Sequence, residues 1–236
     1  MKKRIEIALI RGSLDECGDS NQIIKKLIES FNNNGKRKFS YHWIKTVNLL
    51  NCKGCKKCFN TGNCILDEND NFSEEKMKLI NSKIIIISSP VYVDNVSGSI
   101  KTFIDRLALW THIMALSGKF CILIITTQNT GVKEVSNYLY KILTSLGLVI
   151  VGVIIKKKND NLDFENEQIE NAVFNTLYYM KEPNNISTSQ MLEKLFSSYS
   201  FIYNNYFPKE SKNFEMNSWK EKYKGMITFQ DYIDSL

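Results

Sequence analysis

Four cysteines lie within thirteen residues, and their spacing is the strongest chemical signal in the sequence. They follow the pattern C-x2-C-x2-C-x5-C and comprise Cys52, Cys55, Cys58 and Cys64. Thiolates at this density suit an iron–sulfur cluster or a zinc ion, because both bind cysteine sulfur well. Gly54 and Gly62 leave the backbone free to curl, so that the four sulfurs can converge on one centre.

Three interpretations of this cysteine run remain open. In the ferredoxin run C-x2-C-x2-C-x3-C-P the fourth cysteine binds a second cluster, but here the last spacing is five residues and no second run exists. One [4Fe–4S] cluster held by all four thiolates is the simplest interpretation. Zinc sites usually pair two separated C-x2-C turns or add histidines, and the nearest histidine is His42. Free thiols that only pack together are the third interpretation.

Positive charge is concentrated around the cysteines. The chain has 31 Lys and Arg against 25 Asp and Glu, a net charge of +6, whereas residues 31–66 alone contain seven cations and no acid. Such cations would stabilise a dianionic four-thiolate cluster, and a solvated basic surface is the alternative. No aromatic stacking pattern or nucleic-acid reader motif accompanies these lysines, so we expect no nucleic-acid partner.

The composition is that of a globular protein, with 43% hydrophobic and 24% charged residues in a chain of 236. The longest apolar run, residues 148–155, has eight residues, whereas a membrane span needs about 20. The apolar stretch after the basic N-terminus is too short for a signal peptide. We therefore expect a cytoplasmic protein with no membrane partner, in which the cysteines stay reduced.

Five short apolar runs are predicted to be strands. They are residues 4–10, a part of 38–49, 83–89, 120–126 and 148–155. Amphipathic helices are predicted between them, one on the face formed by Ile23, Ile24 and Leu27 and another over residues 135–146. This alternation implies a parallel sheet with helices on both faces. Ligands bind such sheets beyond the carboxyl ends of the strands.

The loops after the first, third and fourth strands are therefore the candidate ligand-binding segments. We call them the first loop (12–21), the second loop (90–97) and the third loop (127–131). In the first loop, helix-start amides and the hydroxyls of Ser13 and Ser20 suit a phosphate. In the second loop, Pro90 adds rigidity and Tyr92 would stack on a flat ring. The third loop offers further amides and hydroxyls, so the three together predict a site for a phosphate joined to a planar ring.

The composition changes after about residue 183. The last 53 residues contain 11 of the 27 aromatic residues, together with six lysines and six acids. Residues 190–203 are predicted to be helical. We expect a mostly helical C-terminal extension, residues 184–236, whose aromatic side chains are buried in its own core or against a partner subunit. Residues 1–183 would form the main domain, which contains a cysteine loop at residues 50–66.

In their order and spacing, these blocks resemble the iron–sulfur flavoproteins within the flavodoxin-like NAD(P)H-dependent FMN reductase superfamily. The resemblance covers about residues 3–155. It rests on the Gly12-Ser13 loop, the cysteine run ending Thr61-Gly62-Asn63-Cys64, the segment Ser89-Pro90-Val91-Tyr92, and the block Ile100-Lys101-Thr102-Phe103-Ile104-Asp105-Arg106. It implies a flavodoxin-like, five-stranded parallel sheet that binds FMN.

The resemblance also implies roles for individual residues. The FMN phosphate would lie on Ser13, Ser20 and Asn21. The isoalloxazine ring would rest against Pro90, Val91, Tyr92, Val93, Asp94, Asn95, Thr127, Gln128, Asn129 and Gly131. We therefore call the first, second and third loops the flavin loops. The four cysteines would bind one [4Fe–4S] cluster that exchanges electrons with FMN, and Asp105 and Arg106 would be structural.

The expected function is that of a flavin-dependent oxidoreductase or electron-transfer protein, in which flavin N5 rather than a side chain performs the chemistry. NAD(P)H or a ferredoxin-like protein would supply electrons, and a small molecule would accept them. The resemblance implies a homodimer or homotetramer. The alternatives are a cluster-free NAD(P)H-dependent FMN or quinone reductase and a zinc-stabilised, non-enzymatic interaction module. We expect His42 and His112 to be ordinary surface or packed residues.

Overall fold

The computed structural model of the protein describes residues 4–34, 37–206 and 213–236. At its centre lies a parallel sheet with the strand order β2-β1-β3-β4-β5. The strands are β1 (Ile5–Arg11), β2 (Phe39–Ile44), β3 (Ile84–Pro90), β4 (Phe120–Thr127) and β5 (Val149–Lys157). All five predicted strands are therefore present. Where the prediction gave exact bounds, the observed strand ends differ from them by at most two residues.

Helices connect the strands and follow the last one. They are α1 (Asp19–Asn34), α2 (Lys57–Thr61), α3 (Asp67–Asp70), α4 (Phe72–Asn81), α5 (Gly98–Arg106), α6 (Ala108–His112), α7 (Val132–Ser145), α8 (Leu162–Lys181), α9 (Gln190–Asn205), α10 (Phe214–Lys222) and α11 (Phe229–Asp234). Within the described ranges, none of these helices has the length and apolar character that crossing a membrane requires.

The sheet is covered by helices on both faces. Successive strand residues point to opposite faces, and in β1 this divides the buried side chains between two apolar layers. Ile7 and Leu9 belong to the layer that includes α1 and α8, whereas Ala8 and Ile10 belong to the layer that includes α4, α5 and α7. This double covering explains why the inner strands β3 and β4 are buried along their whole length and mostly apolar rather than alternating.

Strand β5 lies at one edge of the sheet, and side chains of α8 bind its outward backbone groups. Ile155 N donates to Gln168 Oε1 at 2.9 Å, and Gln168 Nε2 donates to Ile155 O at 3.2 Å. Asn175 Nδ2 donates to Val151 O at 3.2 Å. These three bonds fix α8 along the edge strand.

The predicted helical extension is confirmed, and most of its aromatic side chains form a core. The ring of Phe196 lies 5.3 Å from Trp219, 5.2 Å from Tyr223 and 5.9 Å from Phe229. This core is continuous with the apolar layer that contains α1 and α8. Not every aromatic ring lies in this core, since Phe201 is 58% exposed on α9.

The proposed boundary between residues 183 and 184 falls within a short 3₁₀ turn, Pro183–Asn185, directly after α8. Helices α9 to α11 all follow this turn. The division into two domains stays a prediction.

Candidate functional site

The first flavin loop leaves β1 and is pressed against the start of α5. Gly12 N donates to Ser88 O at 2.8 Å, and Ser99 Oγ donates to Gly12 O at 3.3 Å. A Cβ atom at Gly12 would lie 2.7 Å from Ile100 Cγ1, a distance that real side chains do not tolerate. Glycine is therefore required here by the close approach of the two segments.

The second and third flavin loops are in direct contact. Val91 N donates to Thr126 O at 2.8 Å. Gly131 has a φ of +79°, and a Cβ atom there would lie 2.4 Å from Val91 Cγ1 and 2.7 Å from Asp94 Oδ1. Only glycine combines this left-handed backbone with so little space. The structure thus brings the ends of β3 and β4 together, as the sequence predicted.

Residues 92–95 of the second loop form an exposed turn. Tyr92 N donates to Asn95 O at 2.9 Å, and Asn95 N donates to Tyr92 O at 3.0 Å. Between them Val93 and Asp94 have φ values of 51° and 54°, a conformation that costs an L-residue roughly 1–2 kcal/mol. The side chain of Tyr92 is 54% exposed. Strained, exposed backbone is concentrated at ligand-binding sites, so this turn suits contact with a planar ring.

The third loop folds back on itself. Thr127 Oγ1 donates to Thr130 O at 2.7 Å. Gln128 and Asn129 lie exposed at its tip, and Pro90, which ends the neighbouring strand, is buried. The loop therefore has a rigid base and an open end.

Two of the residues assigned to the FMN phosphate are buried. Ser20 Oγ lies 3.2 Å from Thr126 Oγ1, and Asn21 Nδ2 donates to Asp15 O at 2.7 Å. Asn21 Oδ1 is buried with no hydrogen-bond partner in the described part of the chain. Ser13 is less buried, and its Oγ accepts from Asp15 N at 3.2 Å. Ser20 and Asn21 therefore brace the first loop here, and their contact with a phosphate stays a prediction.

The four cysteines line one cavity of about 100 Å³. Cys52 and Cys55 are exposed, whereas Cys58 and Cys64 are half-buried. Burial raises the pKa of Cys58, and the charges of the other three cysteines raise it further. Among the described residues, no group of three or more His, Cys, Asp or Glu side chains is arranged to hold a metal ion. The structure gathers the cysteines around one cavity without closing a ligand set.

A buried ion-pair network centred on Arg106 borders the same cavity. The guanidinium donates to Asp67 Oδ1 at 2.7 Å and to Asp70, and its side chain is 0% exposed. Burial lowers the pKa of Arg106, but hydrogen bonds to Asp70 and Asp67 outweigh it, and the pKa is raised overall. Its Nε is buried with no partner in the described ranges. An unpaired buried N–H costs about 1–3 kcal/mol.

This network also fixes both ends of the cysteine loop. Leu50 N donates to Asp70 Oδ2 at 2.9 Å, and Leu50 O accepts from Arg106 Nη1 at 2.9 Å. Leu50 precedes the first cysteine by two residues, and Asp67 and Asp70 follow the last one on α3. Sequence analysis took Arg106 for a structural residue. Its ion pairs agree with that, but its position beside the thiols was not foreseen.

Sequence analysis also missed a second polar cluster, which lies where the extension meets α6. His112 Nδ1 lies 2.8 Å from Glu215 Oε1, which also accepts from Tyr203 OH at 2.6 Å. Burial raises the pKa of Glu215, but its bonds to His112 and Tyr203 outweigh it, and the pKa is lowered overall. His112 and Glu215 are 103 positions apart, and contacts at that separation leave no local pattern in a sequence.

Comparison with known proteins is consistent with this geometry. Residues 5–159 match the model of the NADPH-dependent FMN reductase family. An iron–sulfur flavoprotein of Archaeoglobus fulgidus is 31% identical over 147 residues, which cover 62% of this chain and 66% of that protein, just under two thirds of its length. An iron–sulfur flavoprotein of Clostridioides difficile is 25% identical over 168 residues, which cover 71% of this chain and 74% of that protein.

Solved structures share the fold. The apo form of an NADH:FMN oxidoreductase has a TM-score of 0.56 at 18% identity, over 79% of this chain and 92% of that one. An oxidoreductase from Corynebacterium diphtheriae has a TM-score of 0.57 at 17% identity, over 76% and 98%. These likenesses confirm the predicted flavodoxin-like fold class. Because the family match contains the whole sheet and all three flavin loops, the chain belongs to the NADPH-dependent FMN reductase family of flavin-dependent oxidoreductases.

Proposed function

We propose that this protein is an FMN-dependent oxidoreductase that carries one [4Fe–4S] cluster on Cys52, Cys55, Cys58 and Cys64. One observation supports the cluster above all: the four thiols line a single cavity whose wall also includes the buried cation Arg106. The two curated relatives are both named iron–sulfur flavoproteins, which also supports it. The flavin loops, which meet beyond the carboxyl ends of β1, β3 and β4, would hold FMN.

The chain would position these groups rather than supply a reactive side chain. Bound FMN supplies hydride or single-electron chemistry, and a bound cluster supplies single-electron transfer. Gly12 and Gly131 keep the flavin loops in close contact, and the turn at Tyr92 offers a flat, exposed surface to the ring. Arg106, in the wall of the cysteine cavity, would place a positive charge beside a bound cluster, and a nearby cation favours the reduced, more negative state.

The same proposal includes the electron donor and acceptor. NAD(P)H is one candidate donor, in keeping with the family's description. A ferredoxin-like protein is another, because Lys53, Lys56 and Lys57 are exposed on the cysteine loop and would attract an acidic surface. A small molecule would accept the electrons. We also propose that the protein is a homodimer or homotetramer located in the cytoplasm.

Purification without oxygen tests the cluster. We expect a brown protein with one FMN and about four iron atoms per chain, as for a cubane on four thiolates. Cys55→Ser should lose the iron and keep the FMN, because the flavin loops are separate from the cysteine cavity. Cys17→Ser is the matched control, since Cys17 is also exposed but lies outside the run, and it should keep its iron.

The open arrangement of the thiols favours one alternative, a cluster-free NAD(P)H-dependent FMN or quinone reductase. A yellow, iron-free protein that oxidises NAD(P)H would establish that alternative and exclude the cluster. Zinc in place of iron would also exclude it. A protein that binds neither flavin nor iron would overturn the proposed function as a whole.

A further inference from the structure

A second cavity, of about 480 Å³, lies between the cysteine loop and the C-terminal extension. Helix α2 contributes Phe59 to its wall, α6 contributes His112, and α9 contributes Tyr199 and Ile202. None of the described lining residues belongs to the flavin loops. Helices α9 and α10 lie beyond residues 5–159, so the family match does not account for this cavity. We call it the extension cavity.

Aromatic rings form much of the wall of the extension cavity. The ring of His112 meets Phe59 edge-on, with centroids 4.9 Å apart and an interplanar angle of 74°. It stacks on Tyr199 at 6.1 Å and 22°. Tyr199 in turn packs at 5.7 Å against Trp219, which is buried in the core of the extension. Flat apolar walls with a rigid support favour a planar aromatic ligand.

The His112 ring, which lines this cavity, is held in one orientation by Glu215. Because the Glu215 carboxylate can only accept hydrogen bonds, His112 Nδ1 must carry the hydrogen that joins them. His112 Nε2 makes no hydrogen bond with the described part of the chain, and the side chain is 46% exposed. An imidazolium Nε2 donates to a carbonyl oxygen, whereas a neutral Nε2 accepts from a hydroxyl group.

A quinone has the chemistry that matches both states of this ring. It is planar, it has carbonyl oxygens when oxidised, and it has hydroxyl groups when reduced. Among the described residues, the charged side chains that line the cavity are Glu215, which holds His112 in place, and Lys56 on the cysteine loop. Tyr199 and Tyr203 are the other titratable groups in the wall. Lys56 would favour a ligand that also carries a negative group.

We propose that the extension cavity binds a planar aromatic carbonyl compound of the quinone class, with a ring oxygen hydrogen-bonded to His112 Nε2. Phe59 directly follows Cys58 in the sequence, so the cavity adjoins the cysteine loop. The proposal that this cavity holds the electron acceptor rests on the proposed function. The proposal that it binds a compound of the quinone class rests only on the residues described above.

Binding of anthraquinone-2-sulfonate to the purified, cofactor-loaded protein tests this proposal. Its fused rings leave no position open to thiol addition, and its sulfonate matches Lys56. Isothermal titration calorimetry without any reductant measures affinity without turnover. Ile202→Trp fills the cavity and should weaken binding at least tenfold. Phe201→Trp changes the next position on α9, which does not line the cavity, and should bind like the wild type.

A second variant tests the polar contact. His112→Phe keeps an aromatic ring but removes the imidazolium Nε2 that would donate to the carbonyl oxygen, and it should weaken binding at least tenfold, the scale of one hydrogen bond from a charged donor. Iron and FMN are measured in every sample, so a failure of the cofactor proposal is seen separately from a failure to bind. Absence of binding to the wild type, or equal binding to Ile202→Trp and Phe201→Trp, would overturn the proposal.

Discussion

Two largely buried acids, Asp70 and Glu215, keep their negative charge inside the protein. Burial raises the pKa of each, but donors outweigh it: Arg106 for Asp70, and His112 with Tyr203 for Glu215. The net pKa of both carboxyls is therefore lowered. A group whose pKa is lowered by folding contributes stability above its unfolded pKa, and that contribution disappears as the pH falls.

We expect acid to weaken the fold through Asp70, whose ordinary pKa is 3.8. Its contribution should be complete above about pH 5 and should decline towards pH 3 and below. Asp70→Asn should be less stable than the wild type at pH 7, because Arg106 loses a charged partner, but its melting temperature should fall less steeply with acid. Glu68→Gln, an exposed acid on the same helix, is the control. Equal slopes for Asp70→Asn and the wild type would contradict this expectation.

Arg106 permits a second test at this scale. Arg106→Gln leaves Asp67 and Asp70 without their buried cation, and we expect a loss of about 3–5 kcal/mol in the free energy of unfolding. Lys101→Gln removes the exposed pair with Asp105 on the same helix, where the two side chains are 51% and 43% exposed. That loss should be below about 1 kcal/mol. Urea unfolding measures the free energy of unfolding that each variant loses. Similar losses in the two variants would show that burial does not strengthen the ion pairs of Arg106.

Among the structural elements, the flavin loops depend on backbone approaches that only glycine allows. Gly131 and Gly225 both have a left-handed backbone, with φ values of +79° and +78°. A Cβ atom at Gly131 would meet Val91 and Asp94, whereas at Gly225 nothing lies within 4 Å. Comparison of the two positions therefore separates backbone strain from a steric clash between loops.

Alanine at these two positions should have different effects. Gly225→Ala adds backbone strain alone and should cost about 1–2 kcal/mol of unfolding free energy. Gly131→Ala adds the clash, so it should cost more and should also weaken FMN binding, because the second and third loops are forced apart. Urea unfolding and FMN titration measure the two quantities. Unchanged FMN affinity in Gly131→Ala would argue against a ring site between these loops.

At the scale of the whole molecule, the extension and the sheet share one apolar interior. Phe196 in α9 is fully buried and belongs to the same layer as Ile7 and Leu9 in β1. Tyr223, which directly follows α10, also lies within hydrogen-bond distance of Ser117, in the segment that precedes β4. We therefore expect the extension and the main domain to unfold together.

Phe196→Ala tests this cooperativity. Removal of a buried phenylalanine should cost about 3–5 kcal/mol. Hydrogen exchange read by mass spectrometry should then show lost protection in β3 and β4 as well as in α9. Phe201→Ala, at an exposed position on the same helix, should leave exchange nearly unchanged. Lost protection confined to residues 184–236 would show that the extension unfolds on its own.

The sequence predicted most of the sheet because a strand covered on both faces is buried along its whole length and is therefore mostly apolar, as β3 is. Helix α8 was not predicted. It carries Phe164 and Phe174 on exposed positions, and these side chains obscure the apolar stripe of an amphipathic helix. The short helix α3 after the cysteines escaped prediction as well, since it is held by the Arg106 network rather than by an apolar repeat.

The candidate sites likewise divide into those that the sequence predicted and those that it did not. The cysteine run and the flavin loops are local in sequence, so their spacing and composition were sufficient to find them. His112 and Glu215 meet only because the extension folds back onto α6. Arg106 and Asp70 are 36 positions apart and meet only through the packing of α5 against α3. Sites of this kind depend on tertiary contacts, and no window of the sequence contains both partners.

The bonds between α8 and β5 determine how the sheet can meet another molecule. An edge strand with free backbone groups is a template on which a foreign strand can add. Here Gln168 binds both the N–H and the carbonyl of Ile155, much as a sixth strand would, and Asn175 occupies the carbonyl of Val151. A second chain that approaches this edge finds these groups already taken. At these positions the side chains of α8 therefore oppose aggregation by strand addition.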